Sequence, residues 1–268
     1  MERQAMGNNL SLRNGLMILE CFTPQKSNLT LSEISRLNGL SKASVSRILK
    51  TLSELEYLKY RPQDRRYFLG PKVLSLGFSV IQAMEVRDIA RPYLEELSQE
   101  CHQTVNLGVI DGNEMVYIDR IRFPDLRELN IRIGSRIPIY NSALGRAVLA
   151  YKNREQLAAI LEKIGNDSHA SEYMANNKDK LIAALERARK ERFASSDEEF
   201  AEGIRAIAVP IFSHNGSVEY SINIVAPSQA LTMEQLHITY AAKLVRVGNE
   251  ISRMLGYSDS RENKFLSE

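Results

Sequence analysis

The stretch KASVSRILKTLSELE, residues 42–56, constrains this chain more than any other. Val45, Ile48, Leu49, Leu52 and Leu55 recur at three- and four-residue steps, so as a helix they share one face. At about 100° per residue, Ala43, Ser46, Arg47 and Lys50 fall on the opposite face. That second face is small, polar and basic over its first half. A helix that enters a DNA major groove needs this combination: no bulky apolar group where the groove floor approaches, and donors that reach base edges or phosphates.

The flanking residues suit such a helix. Leu12, Leu16, Ile18, Leu19 and Phe22 predict a first helix that ends near Thr23-Pro24. A second follows Thr30-Leu31, with Ser32 expected as its N-cap and Ile34 and Leu37 as its apolar face. Asn38-Gly39 closes it, because a glycine supplies the positive φ of a tight helix-to-helix turn. Ser41 is then the N-cap of the third helix. Tyr57-Leu58-Lys59-Tyr60 and Arg66-Tyr67-Phe68-Leu69 alternate like strands around a Pro62–Arg65 turn. They predict a two-stranded wing with Arg61, Arg65 and Arg66 at or near its tip, in reach of phosphates or a minor groove. No aromatic-rich RNA platform occurs in this segment.

Charge follows the same division. Residues 1–72 carry twelve Lys/Arg against six Asp/Glu, while the rest carries 23 against 27. A basic first quarter on a slightly acidic body fits a phosphate-binding head. Two cysteines, Cys21 and Cys101, make neither a disulfide framework nor a metal cluster. There is no long apolar run and no apolar signal core at the N-terminus. A cytoplasmic location with no membrane partner is the expectation.

Pro71 opens a further helix at a favourable first position. Val73, Leu74, Phe78, Val80, Ile81 and Met84 make it apolar over a wide arc, so it packs on its own domain or on a second copy. Residues 88–101 continue helically, with Pro92 expected to kink the helix or mark its first turn. The body then reads as a hairpin (105–110, 115–121), a strand at 129–133, and a helix ALGRAVLAY capped by Ser142. Helices near 154–164 and 178–192 follow, then strands 204–209 and 217–225, and a closing helix capped by Thr232. The fold class is α+β, with a sheet carrying helices.

Enzyme constellations are missing: no HExxH, GxSxG, P-loop or GxGxxG. His102, His169, His214 and His237 are scattered. Asp197-Glu198-Glu199 reads as a solvated loop or as a metal or general-acid site. No catalytic residue, metal or cofactor is assigned. The alternative function is an enzyme with a DNA-binding appendage, using Asp197 and Glu198. The helix after Ser142 would offer backbone N–H groups of Ala143, Leu144 and Gly145 to a carboxylate, or it is an ordinary capped helix.

The segments SLRNGLMILECF, LTLSEISRLNGLSKASVSRILKTLSELEYL and RRYFLGPKVLSLG resemble the N-terminal domain of IclR-type transcriptional regulators. IPIYNSALGRAVLA, SSDEEFAEGIRAIAVPIF and YSINIVAP match the family's C-terminal half, in its order, across residues 11 to about 255. The resemblance implies a winged helix-turn-helix over 1–70, a linker helix over 71–86 and a GAF-like effector-binding domain over 87–268. It implies homodimers, often paired into tetramers, on palindromic operator DNA. Ser44, Ser46, Arg47 and Lys50 on the recognition helix and Arg65 and Arg66 on the wing would contact DNA, with Lys42 on a phosphate. Carried over from the family's motifs, the effector pocket would be lined by Ala143, Leu144, Asp197, Ala206, Asn223 and Val225. Several family members have a cysteine at the position of Ala206 and small residues or serines at Leu144 and Val225. The pocket is therefore expected to be less polar, suited to an aromatic or longer-chain carboxylate.

Overall fold

In a computed structural model, residues 9–123, 131–167 and 170–258 are described. The chain divides into two compact units, Met1–Ala83 and Met84–Glu268.

The first unit holds three helices and a small sheet. Helix α1 (Leu10–Glu20) starts where the Asn9 side chain accepts from the Leu12 N–H. Strand β1 (Asn28–Thr30) leads into α2 (Leu31–Asn38). The cap of α2 is Thr30 rather than Ser32. Thr30 accepts from the Glu33 N–H, and the Glu33 carboxylate accepts from the Thr30 N–H, a reciprocal box that Ser32 cannot form. Gly39 is left-handed, at φ 65°. Helix α3 (Lys42–Glu54) follows with Ser41 as its cap. Strands β2 (Leu58–Arg61) and β3 (Arg66–Leu69) form the wing, and β1 pairs with β3 to complete a sheet ordered β1-β3-β2. Ile18, Phe22, Leu29, Ile34, Val45, Leu49 and Leu58 form the core. Leu12, Leu16, Leu37 and Leu55, expected among the apolar contacts, are exposed instead. One small core fills before every leucine of the pattern can reach it. Helix α4 (Lys72–Gln82) closes this unit and has no buried residue.

The second unit begins with α5 (Glu85–Cys101), so the helix expected over 71–86 ends at Gln82 and a new one starts at Glu85. Pro92 lies in the interior of α5 on its exposed side. Strands β4 (Thr104–Asp111) and β5 (Glu114–Ile121) form the expected hairpin. Of the strand expected over 129–133, Leu129 and Asn130 lie outside the described residues, as does His169. Residues 131–133 are not strand, and the edge strand is β6 (Arg136–Pro138). Helices α6 (Ala143–Leu149), α7 (Arg154–Gly165) and α8 (Ser171–Glu191) precede strand β7 (Ala194–Asp197), which the pattern did not predict. Strands β8 (Ile204–Phe212) and β9 (Val218–Pro227) come next, then α9 (Met233–Leu236), a π-helical turn and α10 (Ala242–Met254).

The six strands make one antiparallel sheet ordered β6-β5-β4-β9-β8-β7. Helices α5 and α10 cover one face, over Val105, Leu107, Ile207, Val209, Ile222 and Ile224. Helices α6 and α8 cover the other, over Met115, Tyr117, Ala206 and Ala208. Successive residues of a strand point to opposite faces. Both faces are covered here, yet β4 alternates Val105 and Leu107 with Thr104 and Asn106, and β9 alternates Ile222 and Ile224 with Ser221 and Asn223. The polar members all turn toward α6. Gly145 lets α6 lie directly on the chain before it, because a Cβ there would overlap the Ile139 backbone.

Candidate functional sites

The outer face of α3 is open. Lys42, Ala43, Ser46, Arg47 and Lys50 are exposed, while Val45 and Leu49 on the reverse are fully buried. Among the described residues no carboxylate lies within ion-pair distance of Lys42 or Arg47, and Lys50 reaches Glu54 loosely, at 3.8 Å. Ser44 belongs to the cap: its N–H donates to Ser41 Oγ at 3.2 Å, and its hydroxyl accepts from Ser41 at 3.0 Å. The wing arginines differ from one another. Arg61 forms a double hydrogen bond with Asp64, at 3.0 and 2.7 Å. Arg66 turns inward, donating to Asn28 and, at 3.3 Å, to Glu33, so it ties the wing to β1 and α2. Strand β1, unseen in the pattern, supplies the Asn28 acceptors, and α2 supplies Glu33. Arg65 stays exposed in the left-handed turn conformation, at φ 56°.

In the second unit a cavity opens between the sheet and the start of α6, with about 590 Å³ of atom-free space, mouth included. Two cross-strand rows make its floor. Register places Arg120 of β5 beside Asn106 of β4 and Asn223 of β9. The next row runs Thr104, Val225, Ala206 and Ser196 across β4, β9, β8 and β7. Tyr117, Ile131, Ile137, Phe200 and Ile204 complete the walls, with Ser142 and Ala143 at the rim.

Of the six expected lining residues, Ala143, Ala206, Asn223 and Val225 meet in this cavity. Leu144 does not: it is fully buried, with its side chain against Gly108. Asp197 does not either. One step along β7 reverses the side chain, so Ser196 faces the cavity and Asp197 pairs with Arg205 at 2.6 Å. The three N–H groups expected at the start of α6 are not all available. Ser142 Oγ accepts from Gly145, and the helix is only seven residues long.

The acidic triplet is occupied. Glu198 accepts from the Gly203 N–H at 2.7 Å, and Glu199 receives a double hydrogen bond from Arg146. Arg146 is nearly buried and also donates to the Tyr140 and Ser195 carbonyls. This arrangement anchors the loop that carries Phe200. Glu199 stabilises the Arg146 charge against burial, and the net effect holds that guanidinium above its ordinary pKa. Among the described residues no cluster of His, Cys, Asp and Glu is arranged to hold a metal.

Arg120 is the residue that the sequence pattern did not single out. Its neighbour Asp119 points to the other face, fully buried, where Arg91 donates to it at 2.9 and 3.1 Å. Arg120 points into the cavity, and its buried Nε has no hydrogen-bond partner. Burial pushes its pKa down, Tyr117 opposes that shift, and the nearby Arg122 charge adds to it. Burial pushes the Tyr117 phenol up to about 12. The available signal was alternation of polar with apolar residues on β4 and β9, whose partner strand β5 carries Arg120.

Two matches span this architecture. Residues 11–62 match the IclR helix-turn-helix domain, and residues 78–253 match the bacterial transcriptional regulator IclR C-terminal domain. The chain belongs to the IclR family. It is 32% identical over 247 residues to the HTH-type transcriptional regulator XynR of Escherichia coli, covering 92% of this chain and 97% of that one. An IclR-family regulator from Brucella abortus superposes with a TM-score of 0.81 at 29% identity, covering 91% and 92% of the two chains. An IclR homolog from Microbacterium hydrocarbonoxydans, solved in complex with 4-hydroxybenzoate, shares the fold at a TM-score of 0.74 and 22% identity, covering 91% and 98%. The family and these relatives are transcriptional regulators rather than enzymes.

Proposed function

We propose that this IclR-family chain binds operator DNA as a dimer or a pair of dimers and responds to a small carboxylate held in the cavity of its second unit. The observation that carries the reading is the outer face of α3, where Lys42, Ser46, Arg47 and Lys50 stand in solvent around the small Ala43. Arg65 extends that basic surface from the wing. Ser44 acts through the cap, and Arg66 acts by fixing the wing.

The dimer rests on apolar surface. Leu74 and Phe78 of α4 are 75% and 62% exposed, and Leu76 and Val80 beside them are also open. A helix this apolar is stable in water when a second copy covers it. Two copies present two recognition helices to half-sites about 34–36 Å apart. The chain would act in the cytoplasm, where the operator is.

A ligand shifts DNA affinity only through different affinities for the two states, and a 50-fold change corresponds to about 2.3 kcal/mol. The test is a nuclease footprint of the purified protein on DNA flanking its own gene, with and without small carboxylates. Protection over a near-palindrome, altered by one acid, is expected. Arg47→Ala should weaken specific binding by about 1–3 kcal/mol and relax base preference. Equal binding of operator and random DNA by wild type and Arg47→Ala would overturn the α3 assignment.

A further inference from the structure

The polar groups of the cavity fall into two sets. Thr104 Oγ1 accepts from the Phe123 N–H, Ser142 Oγ donates to the Pro138 carbonyl, and Ser196 Oγ donates to the Asn141 carbonyl. Asn223 Oδ1 accepts from Asn106 Nδ2 at 2.8 Å. These groups are already engaged. Among the described lining residues, two fully buried polar atoms have no partner: Arg120 Nε and Asn106 Oδ1.

The two atoms belong to residues paired directly across β4 and β5, on the face that forms the cavity floor. A buried donor or acceptor without a partner costs about 1–3 kcal/mol, more when charged, so few are retained without a use. Among the described residues none that lines the cavity is acidic. The one ionisable phenol there, Tyr117, stays neutral at ordinary pH. Asp119, the nearest acid in sequence, is held by Arg91 on the opposite face. Among the described residues, no lining carboxylate compensates the Arg120 charge.

We infer that Arg120 fixes the carboxylate of the effector and that Asn106 Oδ1 accepts its hydroxyl, so that the ligand is a hydroxy acid. This rests on the effector-pocket reading and sharpens it. The guanidinium offers a carboxylate two parallel N–H donors. Asn106 Oδ1 is an acceptor, so it selects a ligand that carries a donor. An ammonium in place of the hydroxyl would bring a second cation beside Arg120 with no acidic side chain among the described lining residues to balance it, so amino acids are disfavoured. Tyr117, Phe200, Ile137 and Val225 take the apolar remainder. The chemistry places the recognition charge on the sheet, with the N-terminus of α6 supplying wall.

The experiment is titration calorimetry on the full-length protein with sets of matched ligands. One set is mandelate, phenylacetate, phenylglycine and methyl mandelate; a second is lactate, propionate, alanine and methyl lactate; a third is 4-hydroxybenzoate and benzoate. At least one hydroxy acid is expected to bind, its deoxy counterpart more weakly, and its ester and amino counterparts barely. Arg120→Gln should weaken that hydroxy acid by roughly 10- to 100-fold, and Arg120→Lys should recover part of the loss. Asn106→Leu should erase the preference for the hydroxyl. Arg120→Met, without ligand, should melt no lower than wild type, because an unpaired half-buried charge does not stabilise the empty fold.

The inference is overturned if no hydroxy acid of the sets binds, if Arg120→Gln binds as wild type does, or if Arg120→Met alone melts far lower. The footprint on DNA flanking its own gene separates the two readings. Operator protection with any of these three results leaves the regulator standing and removes only the ligand assignment.

Discussion

The outer face of α3 and the floor of the cavity are both polar surfaces on otherwise apolar elements, but they are built in opposite ways. The α3 face comes from nine consecutive residues, Lys42 to Lys50, and needs only a helix with its other side buried. The floor joins Arg120, Asn106 and Asn223 from three strands, and its central hydrogen bond spans 117 residues of chain. On α3 the charges stand in water at little cost. In the cavity Arg120 is half-buried, with no counter-charge among the described lining residues, and it needs a reason to be there. A polar residue in solvent is ordinary, whereas one turned into a covered sheet face marks a site.

That contrast can be broken from either side. The largest expected effect is Leu49→Ala, which empties a fully buried position behind the α3 face. It should destabilise the first unit by about 2–5 kcal/mol and abolish operator binding. Amide-exchange protection of β4, β9 and α10 should be retained, and its loss would show that the two regions are not separable. Gly145→Ala is the converse. Its Cβ would overlap the Ile139 backbone, so α6 must shift, at about 1–3 kcal/mol. Ligand titration should weaken while the ligand-free protein still protects its operator.

Thr30→Ala is a smaller change. It removes the α2 cap and should cost about 1 kcal/mol in a melt of the first unit. The smallest effect is acid sensitivity. The hydrogen bond from the Thr30 N–H, with help from its hydroxyl, Arg66 and Arg36, holds the Glu33 carboxyl below its ordinary value of 4.5. A lowered folded pKa gives stability that is present above the unfolded value and lost as pH falls through the folded one. The first unit should therefore soften below about pH 4.5, and less so in Glu33→Gln. Equal acid sensitivity in both proteins would assign the loss to other carboxylates.

How much of each region could be read from the chain follows from its construction. The α3 face, the Ser41 cap and the Gly39 turn were legible because each depends on residues within one turn of each other. Arg66 was misplaced because its partners, Asn28 and Glu33, come from β1 and α2 across 38 and 33 residues. In the cavity, Ala206, Asn223 and Val225 were placed by the family resemblance rather than by any local pattern, and the sheet register brings them together. Asp197 was placed by the resemblance as a loop residue, whereas it lies on β7, where one step reverses the face and turns Ser196 to the cavity instead. Arg120 escaped because an arginine in YIDRIRF looks like solvated charge until the sheet is known to be covered on both sides.

The sequence by itself determined the helix periods, the caps, the hairpins, the basic head and the family to which the chain belongs. These are local properties of backbone and side-chain spacing. The tertiary structure decided which charges are neutralised and which stay open. Arg66, Asp119, Arg146 and Asp197 each find a partner outside their own element, while Arg120 Nε finds none among the described residues. Compensation of charge is a property of residues brought together in space, and spacing along the chain carries no record of it.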